Sequence, residues 1–232
     1  MAQIIPILSA GAAQGLITRA APLLLDRLGA KTVGRFGAVG AMKDAFLAGE
    51  PCDVIVLTDA MIRSMLEDGS LEANSSAGLG TVYTGIAVPS GRPMPDISSV
   101  ESLAEAFQRA SSIWLPDTER STAGLHAMKV LKALQLDTSL RDRLKVFPNG
   151  ATAMSAMAAS GEHAAIGCTQ LSEILFTEGV LAVGPLPRTF ELGTVYTAAV
   201  SRQASNPTLA KALINLLAEP ANSELRKMCG FE

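Results

Sequence analysis

Residues 36–58, FGAVGAMKDAFLAGEPCDVIVLT, decide the fold class. A loop of small residues opens the stretch, and residues 39–48 then carry apolar side chains at helical spacing. Residues 53–58 end it as DVIVLT, an uninterrupted apolar run of strand length. Continuous rather than alternating apolar character marks a strand covered on both faces, as in a buried parallel sheet.

The same rhythm extends both ways from this stretch. Upstream, residues 4–8 and 32–36 read as strands, and residues 14–28 between them read as a helix. Pro22 interrupts that helix and predicts a kink or a late start, because proline removes a backbone donor. Downstream, residues 60–67 return to helical period. Ser98 and Glu101 stand at capping-box spacing before a helix to about residue 110. Strands follow at 112–115, 145–147 and 164–167, with a helix over 122–134. Asn206-Pro207 reads as the N-cap and first residue of a helix reaching residue 217. Strands alternating with helices this regularly predict an α/β fold with largely parallel sheets.

One feature departs from the simple alternation. Thr81-Val82-Tyr83-Thr84 recurs as Thr194-Val195-Tyr196-Thr197, each opening a strand-like run. Both copies are good strand formers, which is the plain explanation. The functional explanation is that two equivalent strands leave and re-enter one lobe. The expected division is residues 1–82 plus 196–232 as one lobe and 83–195 as an inserted second, with a ligand cleft between lobes joined by two crossing strands.

Composition narrows the function. The chain has 232 residues, 48% hydrophobic and 18% charged, which excludes intrinsic disorder. Nineteen basic against 22 acidic residues, with 4% aromatics, argue against a nucleic-acid partner. Three cysteines, Cys52, Cys168 and Cys229, lack disulfide or zinc spacing, and the two histidines are far apart, so no metal and no cofactor is expected. No apolar run is long enough to span a bilayer. The first residues read as a strand without a basic n-region, so no signal peptide is expected. The expected location is the cytoplasm, or the periplasm if a leader was removed and replaced by Met1.

The order LSAGAAQGLI at 8–17, the stretch at 36–58, STAGLHAMKVL at 121–131 and AAIGCTQLSEIL at 164–175 resembles the molybdate-type solute-binding proteins of ABC transporters. The resemblance runs nearly end to end and is most specific in AGEP-x-DV and G-x-TQ-SEI. It implies a type II periplasmic-binding-protein fold holding a small anionic ligand, with an ABC transporter as partner if the chain is exported. It also implies hydroxyl donors in the first two strand-to-helix loops and a tyrosine late in the second lobe. Ala12, Ala38 and Thr169 stand at those positions, with Ser9 three residues before Ala12. Each lost donor costs roughly 1–3 kcal/mol for an anion bound away from water. Molybdate is therefore not the expected ligand.

Other residues suit a different anion. Small-residue loops at Ser9, Gly11 and Ala12, and at Ala38 and Val39, let backbone N–H groups approach carboxylate oxygens. Neither loop has phosphate-loop spacing, and no nucleophile elbow is present. In Asp117–His126 (DTERSTAGLH), Ser121 or Thr122 would cap a helix at a strand's C-terminal end, leaving the N–H groups of Ala123 and Gly124 to face an anion. Arg120 offers a planar fork for a carboxylate, the plain alternative being a solvated surface residue. Thr152 is a further candidate cap and ligand contact. His126 and Glu119 are the candidate proton acceptors, although a lone helical histidine is more often a hydrogen-bonding partner. Glu173, at a helix start, complements the dipole without catalytic duty.

Two functions follow from these residues. The first is a solute-binding protein for a small organic anion, a di- or tricarboxylate rather than molybdate. The alternative is an isomerase on the same scaffold, since some proteins resembling this family act on organic acids. Aconitate isomerase, which moves a proton within an unsaturated tricarboxylate, is the example.

Overall fold

The computed structural model describes residues 2–232, which form two compact units. Residues 2–81 with 195–232 make the first, and residues 82–194 the second. Each chain crossing between units falls inside a TVYT copy, after Thr81 and after Thr194.

The first unit begins with β1 (Gln3–Ala10), a 3-10 turn (Gly11–Ala13), α1 (Gln14–Leu28), β2 (Ala30–Gly37), α2 (Val39–Leu47), β3 (Val54–Thr58) and α3 (Asp59–Glu67). Strand β4 (Ala77–Pro89) then leads into the second unit, beginning four residues before the expected tetrapeptide. There follow α4 (Val100–Arg109), β5 (Ser112–Pro116), α5 (Thr122–Ala133), β6 (Leu144–Phe147), α6 (Gly150–Ala159), β7 (Ala165–Gln170), α7 (Leu171–Phe176) and β8 (Val180–Pro185). The chain returns along β9 (Gly193–Val200) and closes the first unit with α8 (Pro207–Ala218) and α9 (Ser223–Met228).

In the first unit β1 lies between β2 and β3, parallel to both, and β9 runs antiparallel to β3. In the second, β5 lies between β6 and β7, parallel to both, while β4 runs antiparallel to β7 and to β8. The sheets are thus mixed rather than largely parallel. Each unit contains one set of three parallel strands, so the helix starts that follow those strands gather at one edge of its sheet.

Several helices form where local chemistry predicts. Asn206 accepts from the Leu209 N–H at 3.0 Å, with Pro207 as the first residue of α8. Helix α1 begins at Gln14 and runs across Pro22, with no late start. Pro22 is exposed, so the carbonyl it leaves unpaired can bond to water. The α1 C-terminus stops at Gly29, whose φ of 59° is left-handed, as helix C-caps require. The capping box before α4 sits one residue later than expected: the Ser99 hydroxyl accepts from the Ser102 N–H at 3.1 Å, and the Ser102 hydroxyl accepts from the Ser99 N–H at 3.0 Å. Ser98 is committed elsewhere, since its N–H donates to Asp96 at 2.9 Å.

Asp53, first residue of DVIVLT, is buried and holds the first unit's return segment. It accepts from the Ser205 N–H at 2.9 Å, the Ser205 hydroxyl, and the Asn206 N–H at 3.1 Å. In the second unit Leu103, Ile113, Leu115 and Leu131 pack from α4, β5 and α5 into one core cluster, and Trp114, Met154 and Met157 form another against α6. Each such side chain contributes about 1.5–3 kcal/mol by leaving water.

Candidate anion-binding loops

The first unit presents helix starts that lack side-chain caps. Strand β1 ends in Ser9 and Ala10, and the chain turns through Gly11, Ala12 and Ala13 before α1, all five buried. Strand β2 ends at Gly37, and the buried Ala38 and Val39 begin α2. Neither Ala13 nor Ala38 has a side chain that can accept from the first helical N–H groups. Ser9 is no substitute, since its hydroxyl donates to the Ala10 carbonyl at 3.0 Å. A buried helix start without a cap is costly unless an anion or water meets it. Helix α3 differs. Asp59 occupies its first turn, accepting from the Thr197 hydroxyl at 3.0 Å and pairing with Arg63 at 2.7 Å.

In the second unit the starts of α4, α5 and α6 are capped by side chains, and that of α7 is not. Ser121 caps α5 by accepting from the Gly124 N–H at 2.9 Å, with Ala123 buried behind it. Gly124 has no room for a larger residue, because a Cβ there would lie 2.2 Å from the Asp117 carbonyl oxygen. Asp117 orders the turn between β5 and α5 by accepting from the N–H groups of Glu119 and Arg120 at 2.8 and 2.9 Å. Glu119 and Arg120 are exposed on that turn, and Thr122 is half-buried. Thr152 is exposed and does not cap α6. Asn149 does, accepting from the Thr152 N–H at 2.8 Å, because the cap residue must precede the helix.

Glu173 is buried behind the α6 start. It accepts from the Gly150 N–H at 3.1 Å and from the Thr169 hydroxyl at 2.6 Å. Burial pushes its carboxyl above the ordinary glutamate range, opposed by the Thr169 hydroxyl and the N–H groups of Gly150, Ala151 and Gln170. Thr169, at the expected ligand position, is therefore committed to Glu173. His126, one turn into α5, has its Nε2 2.7 Å from the Phe190 carbonyl, so that nitrogen carries the proton and donates. Nδ1 is then the nitrogen left to take a proton.

Sequence reasoning missed a further set. Thr84, Gln170, Ser172 and Thr194 are each over nine-tenths buried, and five of their side-chain atoms have no hydrogen-bond partner. The available signal was Gln170, a long polar residue at the end of the apolar run AIGCTQ, opposite Thr84 in the strand register. The three thiols are buried, and those of Cys52 and Cys168 are pushed up to about 12 by burial, so neither is a nucleophile near neutral pH. Among the described residues no cluster of metal-ligating side chains occurs, and no helix is long and apolar enough to cross a membrane.

An α/β chain with uncapped, buried helix starts at the C-terminal strand edges has the design of a ligand-binding protein. The chain belongs to the bacterial extracellular solute-binding protein family, whose model matches residues 5–232. Its fold is the two-lobed periplasmic-binding-protein fold. It superposes with a TM-score of 0.80 on the periplasmic molybdate-binding protein of Azotobacter vinelandii, at 16% identity and 98% coverage of both chains. The sulfate-binding protein SubI of Mycobacterium tuberculosis H37Rv gives 0.76, at 14% identity, covering 99% of this chain and 86% of that one. An aconitate isomerase from a Pseudomonas species is 28% identical over 218 residues, 91% of this chain and 81% of its own length.

Proposed function

We propose that this protein binds a small organic polycarboxylate rather than molybdate, delivering it to an ABC transporter in the periplasm. The observation that carries this reading is the buried start of α2 at Ala38 and Val39, which has N–H donors and no side-chain cap. Those donors suit a carboxylate, and the alanines at 12 and 38 supply no hydroxyls to surround a tetrahedral oxyanion. In the second unit the capped α5 start at Ser121, with Thr122 and Ala123, adds further polar contacts, and Arg120 adds a cationic fork. Isothermal titration against citrate, succinate, sulfate and molybdate tests the reading. Micromolar or tighter binding of a polycarboxylate supports it. Tight molybdate binding with no carboxylate response overturns it.

A second reading, isomerisation of an unsaturated tricarboxylate, is supported by the aconitate isomerase relative, which matches 91% of this chain. Moving an allylic proton needs a base within hydrogen-bond reach of an acidic carbon and donors for the enolate-like charge. His126 through Nδ1, or Glu119, supplies the base, and Thr122 and the loop N–H groups supply donors. Proton NMR of cis- or trans-aconitate incubated with the protein decides. Interconversion makes the protein an isomerase, and unchanged spectra alongside measurable binding make it a binder.

A further inference from the structure

Two residues of the second unit with unpartnered side-chain atoms, Thr84 and Gln170, stand side by side. Thr84 stands opposite Gln170, and Ile86 opposite Cys168, in the antiparallel register of β4 and β7. Alternate residues of a strand share a face, so Thr84 and Gln170 continue the row of Ile86 and Cys168, which packs in one cluster with Ala127 of α5. Two residues along a strand advance about 6.6 Å. Gln170 and Thr84 thus lie toward the strand end from which α5 starts. Backbone bonds from the Thr84 N–H to the Leu192 carbonyl and from the Leu186 N–H to the Thr84 carbonyl bring the segment before Thr194 alongside. Ser172 follows Gln170 by two residues.

What these atoms lack defines what they await. Both Oε1 and Nε2 of Gln170 are unpaired, so turning the amide over leaves the same deficit. The three hydroxyls can donate or accept, but the amide oxygen can only accept. A fully ionised oxyanion such as molybdate or sulfate offers acceptors alone and leaves that oxygen unsatisfied, at the cost of a buried orphan. An O–H group on the ligand accepts from Nε2 or a threonine hydroxyl and donates to Oε1. We propose that Gln170, with Thr84 beside it, is a specificity site for a ligand O–H, selecting hydroxylated or partly protonated polycarboxylates over acceptor-only anions. This rests on the polycarboxylate reading above and adds to it which member of the class is preferred.

The test compares citrate with tricarballylate, which has the same three carboxylates and lacks the hydroxyl, by titration calorimetry on the wild type and Gln170→Met. At about pH 8, where carboxylic acids are ionised, citrate is expected to bind at least about tenfold more tightly. Gln170→Met is expected to remove that preference by weakening citrate far more than tricarballylate. Equal affinities at this pH, or an equal loss for both ligands in the variant, overturn the proposal. If tricarballylate gains on citrate as the pH falls to about 5, a protonated carboxyl also serves as the donor; if it does not, the hydroxyl alone serves. Melting of the ligand-free proteins gives a readout independent of any carboxylate. An amide without partners is a burden, so Gln170→Met should melt higher than the wild type, whereas an equal or lower melting temperature shows the amide satisfied within the protein and overturns the proposal. If neither acid binds, the polycarboxylate reading falls and the melting comparison alone decides whether Gln170 is unpartnered.

Discussion

Gly150 and Glu173 are fitted to each other. The Gly150 N–H donates to one oxygen of the Glu173 carboxylate at 3.1 Å, and a Cβ at position 150 would lie 2.1 Å from the other oxygen and 2.0 Å from the Thr169 hydroxyl. Glycine is needed here for space, since a side chain would push the carboxylate from the helix start that holds it. Gly150→Ala should therefore destabilise the protein by about 2–3 kcal/mol through overpacking. Urea unfolding measures this, and a loss below about 0.5 kcal/mol would show that Glu173 can move aside without cost.

The same carboxyl makes stability depend on pH. Burial raises its native proton affinity above that in the unfolded chain. The native state therefore holds the proton over a range where the unfolded state has lost it, and stability falls as pH rises from the ordinary glutamate range through the raised native value. Glu173→Gln, which cannot ionise, should flatten that fall. Thermal melts of both proteins across mildly acidic to neutral pH would show parallel curves if the carboxyl has no such role.

Asp53 is the acid of the AGEP-x-DV segment, and its work is structural. It accepts from two backbone N–H groups and one hydroxyl in the Ser205-Asn206 turn that introduces α8. Asp53→Ala removes these bonds, but Ser205 is exposed and Asn206 half-buried, so water can meet part of the deficit and the loss should be about 1–2 kcal/mol. Chemical denaturation tests the cost. Ligand affinity should survive, because these bonds lie at the start of β3 and ligand contacts belong at its C-terminal end.

His126 joins α5 to the short turn at Arg188–Phe190 through the Phe190 carbonyl. His126→Ala should cost about 1 kcal/mol of stability, the usual contribution of one such bond. Glu119 is exposed, and Glu119→Gln should leave stability unchanged. If aconitate interconversion is observed, His126→Ala should slow it by about tenfold or more. Full activity in that variant would transfer the role of base to Glu119.

The sequence determined whatever depends on neighbours along the chain. The apolar run of β3, the length of α1, the Asn206 cap and the α/β class are set by periodicity and by side chains within four residues of the backbone groups they serve. Even there a one-residue competition was decided by the surroundings, as when Asp96 took the Ser98 N–H and left Ser99 to cap α4. The uncapped start of α2 was legible for the same reason, because a helix start without a capping side chain can be read from Ala38 alone. The Glu173 pocket and the cluster around Gln170 were not. Glu173 meets Gly150 across 23 positions, and Thr84 meets Gln170 only because β4 runs antiparallel to β7 in one register. Nothing local marks Gln170 as unpartnered, since an amide finds or lacks a hydrogen bond according to what the folded chain brings beside it. Strand pairing and burial, properties of the whole fold, decided which polar groups are satisfied and which are left without a partner.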